Sequence, residues 1–252
     1  MKNILEAKEL SKVYQVSKEN QKNVLKNVDL EIKEGEFVSV MGPSGSGKST
    51  LLYNISGMDR MTSGSVRFNG NELSLLSEED LSHLRLNKMG FVFQHIHLLK
   101  NLNILDNIIL PAYLAKSSSR KEIKKRALDL MEKTGIRELA NNDITQASGG
   151  QLQRVGICRA LINNPDIIFG DEPTGALNSK AADEIMDILA DINSSGTTIL
   201  LVTHDIRVAA KAERVVFMLD GKIVDEHYFS KSENNIQIRE RKLSKWLTAM
   251  GF

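Results

Sequence analysis

The chain alternates short, almost wholly apolar runs with longer runs whose apolar residues recur every three or four positions. Phe37-Val38-Ser39-Val40-Met41, residues 166–170 and residues 197–202 are largely apolar runs of strand length. Such runs predict strands covered on both faces. Gly90-Phe91-Val92-Phe93-Gln94 reads as a further strand that ends on a polar residue. Helical periodicity predicts a helix capped by Ser119 and carrying Ile123, Ala127, Leu130 and Met131 on one face, stopped by Gly135. Asn178 and Ser179 cap another, reaching about Ile192, and Ser77 to Asp80 has capping-box spacing for one that runs to about Asn87.

The two ends of the chain read differently from its middle. Residues 10–14 and 28–32 look like strands around a polar loop at 17–23, and Glu34-Gly35-Glu36 is a turn. A short strand at 65–68 meets an Asn69-Gly70 turn, and 214–219 and 222–225 form a hairpin about Asp220-Gly221. From 95 to about 165 the strand runs disappear and helical periodicity takes over, as expected of a helical insertion. Apolar strands alternating with helices imply a mostly parallel sheet, in which ligands collect at the carboxyl ends of the strands. Gln94, Asp171, Glu172 and His204 all fall just past strand ends.

The stretch between the first apolar strand and the next helix carries the chemistry. Gly42-Pro43-Ser44-Gly45-Ser46-Gly47-Lys48-Ser49-Thr50 fits G-x-x-x-x-G-K-[ST] in full. Glycines let backbone N–H groups turn toward phosphates, and the helix start adds a positive dipole end. Lys48 is placed for the β- and γ-phosphates and the Ser49 hydroxyl for Mg²⁺. Asp171, at the end of an apolar run, suits the second metal-site carboxylate, and Glu172 suits activation of the attacking water. Alternation along a strand would point the two carboxylates to opposite faces. Ser148-Gly149-Gly150-Gln151 begins a helix through Leu161 and offers a second anion site, most economically one that completes the site of another copy of the chain. Tyr14 suits stacking on an adenine face and suits a half-buried strand position equally well.

Composition narrows the classes. With 252 residues the chain is one large α/β domain or a domain with a subdomain. Its 33 basic and 32 acidic residues leave a net charge of +1, which argues against nucleic acid and against an anionic membrane. The single cysteine, Cys158, excludes an internal disulfide and suits a reducing compartment. No run has the length of a transmembrane helix, and the first residues lack an apolar signal core, so a soluble intracellular chain is expected. His95 and His97 lack further clustered ligands and read as loop histidines.

Together these motifs resemble the nucleotide-binding subunit of an ABC transporter. The phosphate loop at 42–50, Gln94, the signature at 147–151, Asp171-Glu172, the loop at 175–178 and His204 appear in the family's order and cover nearly the whole chain. The resemblance implies an α/β fold: a P-loop NTPase core with a mostly parallel sheet, an N-terminal antiparallel β subdomain and an inserted α-helical subdomain. It divides the single domain 1–252 into a core of 1–94 and 165–229, a helical subdomain of 95–164 and a C-terminal helical tail of 230–252. It implies ATP and Mg²⁺ as ligands and a head-to-tail homodimer sandwiching two ATP molecules. Tyr14 then becomes the adenine-stacking residue. Gln94 joins Ser49 and Asp171 at the metal and couples to an integral membrane permease. His204 positions the γ-phosphate and the water. The chain would work at the cytoplasmic face of the cell membrane, held there only through the permease.

Three positions depart from the family pattern: Ala147 for leucine, Gly170 for a larger residue, and Asn178 for aspartate. The last retains hydrogen bonding and loses charge. Since Glu172 and His204 are present, an active hydrolase is expected rather than a regulatory subunit. Phe91-Val92-Phe93-Gln94, Leu98-Leu99, Asp106-Asn107-Ile108 and Leu110-Pro111 are similar to the macrolide-exporter and lipoprotein-release group. Ser56-Gly57-Met58-Asp59 and Thr174-Gly175-Ala176-Leu177 look most like the bacitracin-efflux type, which implies resistance to antimicrobial peptides. Lipoprotein, haem and macrolide substrates stay open. ABC proteins of DNA repair and of translation fit less well: the former interrupt the domain with a long coiled coil and the latter usually carry two cassettes. At the tail, Leu243, Trp246, Leu247 and Met250 form an apolar stripe, read as packed on its own domain rather than on a membrane.

Overall fold

A computed structural model describes every residue except Met1, Val16, Lys18, Glu19, Ser117, Lys231, Ser232 and Asn234. The polar loop expected at 17–23 thus falls partly on Lys18 and Glu19, outside the described residues. The chain forms two compact units, Met1–Leu81 with Thr198–Phe252, and Ser82–Thr197.

In the first unit, β1 (Asn3–Gln15) and β2 (Gln21–Lys33) pair antiparallel, and β4 (Ser63–Phe68) and β5 (Asn71–Glu72) extend the sheet in the order β2-β1-β4-β5. Both long strands exceed the 10–14 and 28–32 expected from apolar alternation. Cross-strand pairing carries the backbone through polar residues such as Glu6, opposite Glu31, whose side chains need no burial. A second sheet is built on β3 (Phe37–Met41), parallel both to β8 (Thr198–Val202) and to β9 (Arg214–Leu219); β10 (Lys222–Tyr228) closes it antiparallel to β9. All five positions of β3 and of β8 are buried, as largely apolar runs require. Helix α1 (Lys48–Ile55) follows β3, and the short α7 (Ile206–Ala209) follows β8. The tail forms α8 (Ile236–Ala249), whose Leu243 and Leu247 are buried with Met41, Ala209, Val215 and Phe217.

Helix α2 (Glu78–Lys88) leads into the second unit, with Ser77 Oγ accepting from the Asp80 N–H at 3.1 Å. There β6 (Met89–Phe93) and β7 (Ile167–Asp171) run parallel, with Phe93 opposite Asp171. Between them lie α3 (Ile104–Ala115), α4 (Arg120–Lys133) and α5 (Gly149–Leu161), and α6 (Ser179–Ser194) follows β7. Ile104, Ile108, Ile123, Ala127, Met131, Val155 and Cys158 form the core of the helical block. Helix α3 passes through Pro111, which forfeits one backbone hydrogen bond and hid the helix from a reading by periodicity. Four of these helices start on a side-chain cap, at Asn103, Ser119, Ser148 and Asn178.

Candidate functional site

Helix α1 starts differently. Its N-cap is Gly47, with φ 101°, which has no side chain to cap the helix, and its first turn holds no acid. A helix start of this kind suits an anion. Gly42 lies where β3 enters the loop, with φ 151°, and a Cβ there would stand 2.1 Å from the Met218 carbonyl oxygen on β9. No side chain fits. The Ser46 carbonyl accepts from Gly221 N–H at 3.0 Å, which ties the loop to the β9–β10 turn. Lys48 is buried and donates its ammonium to the carbonyls of Gly42 at 2.8 Å and Pro43 at 2.9 Å. Ser46 Oγ is buried without a hydrogen-bond partner, although a phosphate oxygen would accept from it. Ser44 and Gly45 are exposed, and Pro43, Ser49 and Thr50 are half-buried.

Tyr14 stands near the start of α1, within reach of the Thr50 hydroxyl. Its ring remains 38% exposed, enough for a stacking partner. The phenol donates to Asp59 Oδ2 at 2.5 Å, and the Lys12 ammonium lies 4.7 Å from the ring centre. Lys12 also donates to Asp59 Oδ1 at 2.7 Å and to the Arg60 carbonyl at 2.5 Å. Burial, and then the Asp59 carboxylate, push the Tyr14 phenol up to about 12. Burial alone would raise Asp59, but its bonds to Lys12 and Tyr14 hold it below the usual carboxylate range. Lys12 and Asp59 were not singled out as holding Tyr14. The available signal was Lys12 two positions before Tyr14, on the same face of the strand.

His204 also belongs to the first unit. The Thr203 N–H donates to Val40 O at 3.1 Å, so β8 delivers His204 beside the strand that feeds the phosphate loop. His204 is exposed. Asp205 caps α7 through the Arg207 N–H at 2.8 Å; burial opposes its charge, but the bonds from Arg207 hold its carboxyl low.

The second unit carries the other candidates. Asp171 ends β7, and its carbonyl accepts from the Gln94 N–H at 3.0 Å, so the two residues emerge side by side. The strand alternation expected to separate Asp171 from Glu172 does not apply, because Glu172 has already left the strand. Its φ of 48° reverses the backbone into a turn closed by the Gly175 N–H on the Glu172 carbonyl at 3.0 Å. An L-residue pays about 1–3 kcal/mol for such a conformation. The Gln94 amide lies over Gly175, where a Cβ would meet its Nε2 at 2.9 Å. Ser148 caps α5 in a capping box with Gln151. Ser148, Gly149, Gly150 and Gln151 line a cleft of about 450 Å³ together with Arg154, Leu177 and Asn178. Asn178 caps α6 by accepting from the Ala181 N–H at 2.9 Å, a bond that its amide oxygen makes without a charge. Ala147 still packs on the helical core despite its short side chain. The His95 and His97 rings meet edge to face, with their centres 6.4 Å apart.

Among the described residues no helix is long and apolar enough to cross a membrane. The pattern of the ABC transporter family matches residues 25–175. The chain is 42% identical, over 97% of its length, to the macrolide export ATP-binding/permease protein MacB of Mannheimia succiniciproducens, and covers 38% of that protein. It therefore spans little more than a third of the macrolide export relatives it matches. It is 44% identical to the uncharacterized ABC transporter ATP-binding protein MJ0796 of Methanocaldococcus jannaschii, over 88% of this chain and 96% of that one. A dimeric structure of the MJ0796 cassette in a post-hydrolysis state, bound to ADP and Pi, superposes with a TM-score of 0.83 at 43% identity, over 90% of this chain and 99% of that chain. The family pattern over residues 25–175 and the identity to these relatives show that the chain belongs to the ABC transporter family.

Proposed function

We propose that this cassette hydrolyses ATP to drive a separate membrane permease at the cytoplasmic face of the cell membrane. The observation that carries the reading is the start of α1, with a glycine N-cap and no acid in its first turn, beside the buried Lys48 and a buried Ser46 Oγ that has no hydrogen-bond partner among the described residues. The amides of 42–50 and Lys48 hold the β- and γ-phosphates, and Tyr14 stacks on the adenine. Ser49, Gln94 and Asp171 offer only oxygen donors, the set that suits Mg²⁺. Bound there, the ion would neutralise charge on the phosphates. Glu172 orients and deprotonates the attacking water, and His204 holds the γ-phosphate and that water in line. Most of the rate enhancement comes from positioning and charge stabilisation. Ser148, Gly149, Gly150 and Gln151 meet the γ-phosphate held by a second copy, so that ATP closes a homodimer and hydrolysis opens it.

The test is Glu172→Gln. We expect turnover to fall about a hundredfold or more, with a dimer trapped in saturating ATP and Mg²⁺ on a sizing column. Undiminished turnover would remove Glu172 from its role, and a persistent monomer would count against the sandwich. For the cargo, the motifs at 56–59 and 174–177 favour an antimicrobial peptide or its lipid-linked target. The 42% identity to a macrolide export protein supports a macrolide as the second reading. Loss of bacitracin resistance on deletion, with macrolide resistance intact, would separate the two. Isolation of the tagged chain from solubilised host membranes should bring down a stoichiometric permease; recovery with ribosomes or DNA alone would refute the partner.

A further inference from the structure

Helix α5 begins at Ser148 and continues past the segment that carries Gln94. Three of its residues, Gln153, Gly156 and Arg159, lie three positions apart along one face and meet that segment. Gln153 is buried, and its Nε2 donates to the Phe93 carbonyl at 3.2 Å, immediately before Gln94. Arg159 donates to the Ile96 carbonyl at 2.5 Å and to the His97 carbonyl at 3.0 Å, two and three positions after it. Gly156 lets the two backbones approach, since a Cβ there would stand 3.0 Å from Ile96 Cγ2. The Gln94 N–H is itself taken by Asp171 O, so the segment is held at the Gln94 backbone N–H, at the carbonyl just before it and at those two and three positions after it. Burial opposes the charge on the Arg159 guanidinium and lowers its pKa, so the carbonyls it meets stand in place of water.

We propose that Gln153 and Arg159 are positioning residues that fasten both flanks of Gln94 to α5, so that a shift of the helix start at Ser148–Gln151 is carried rigidly to Gln94. This rests on the reading of Gln94 and the Ser148 loop as nucleotide-responsive. Neither positioning residue touches nucleotide. They decide where Gln94 stands when the loop at the head of their helix engages or releases the γ-phosphate of the partner copy. The 450 Å³ cleft at that helix start leaves the loop free to be engaged, while the far part of the helix is committed to the Gln94 segment.

The experiment is hydrogen–deuterium exchange on the whole chain, with and without ATP and Mg²⁺. In the wild type, ATP should slow exchange over 94–98 about threefold or more, alongside slowing over 42–50. Gln153→Met removes one fastening and Arg159→Lys weakens the other. Each should bind ATP within about twofold of wild type yet lose the slowing over 94–98. Both should lower kcat roughly fivefold with KM for ATP unmoved, and in a Gln94→Ala background neither should lower it further. Equal slowing over 94–98 in wild type and both variants, or losses in kcat that add to that of Gln94→Ala, would overturn the fastening. Slowing over 42–50 without any over 94–98 in the wild type would instead remove the nucleotide response of Gln94, and the fastening with it.

Discussion

Replacing Gly42 by alanine tests the phosphate loop where its geometry leaves least room. The new Cβ would stand 2.1 Å from Met218 O, 2.9 Å from Ser46 Oγ and 3.1 Å from the Met218 carbonyl carbon. The first is a backbone atom of β9, which is paired in register with β3 up to Met41 and Phe217, so no rotamer relieves it. Two costs add. An L-residue at φ 151° is strained by about 1–2 kcal/mol, and forced overpacking costs about 1–3 kcal/mol more. A total of about 2–5 kcal/mol corresponds, in a chain of this size, to a melting temperature lower by roughly 10 °C. The relief must come from the loop, and it displaces the Gly42 carbonyl that holds Lys48 at 2.8 Å. Misplacing that ammonium by an ångström should lower turnover about a hundredfold. Gly45→Ala is the control. Its φ of 81° carries the same backbone strain, but nothing lies within 4 Å of its Cβ. It should cost only about 1–2 kcal/mol, or roughly 4 °C. The assay is thermal melting of both variants without nucleotide, then ATP titration by calorimetry and steady-state turnover. Equal melting temperatures for the two alanine variants would refute the contact argument.

Three further outcomes follow from particular contacts. Asp59→Asn should destabilise the chain at neutral pH. Because the native Asp59 carboxyl is held low, the gap to wild type should persist above the unfolded value of about 4 and close as pH falls below it, in melts taken from pH 7 to pH 3. Leu247→Ala on α8, a position 1% exposed, should cost about 2–5 kcal/mol in urea unfolding; a change under about 0.5 kcal/mol would show that α8 does not pack on its own unit. Asn178→Ala should cost about 1 kcal/mol by uncapping α6, whereas Asn178→Asp keeps the acceptor and should gain about 0.3–1 kcal/mol from charge at the helix start. Equal melting of the two would remove the cap from the account.

What the amino-acid order revealed and what it hid divide by distance along the chain. The helix caps at Ser119 and Asn178 act over three positions, and both are present. The buried strand at Phe37–Met41 was legible because every side chain in it is apolar or small. The roles of the phosphate loop, Asp171 and His204 came from short motifs next to such strands. The holding contacts did not. Lys12 reaches Asp59 across 47 positions and Arg159 reaches Ile96 across 63. No periodicity links residues so far apart; only the closed fold brings them together.

Glu172 shows why the two kinds of information must be combined. Strand alternation gives a sound reason for adjacent carboxylates to diverge, and the motif picks the two out as a pair. Yet β7 stops at Asp171, and Glu172 stands in a left-handed conformation that no local pattern demands. The turn is closed by the Gly175 N–H on the Glu172 carbonyl, and the same glycine leaves space for the Gln94 amide, which a Cβ there would crowd. One short turn thus takes the chain out of the strand at Glu172 and leaves room for the Gln94 amide. The strain at Glu172 persists because the parallel pairing of β7 with β6 before it and the cap at Asn178 after it are both made without it. A motif can therefore name the reacting groups, while the backbone around them, fixed by contacts remote in sequence, decides what each can reach.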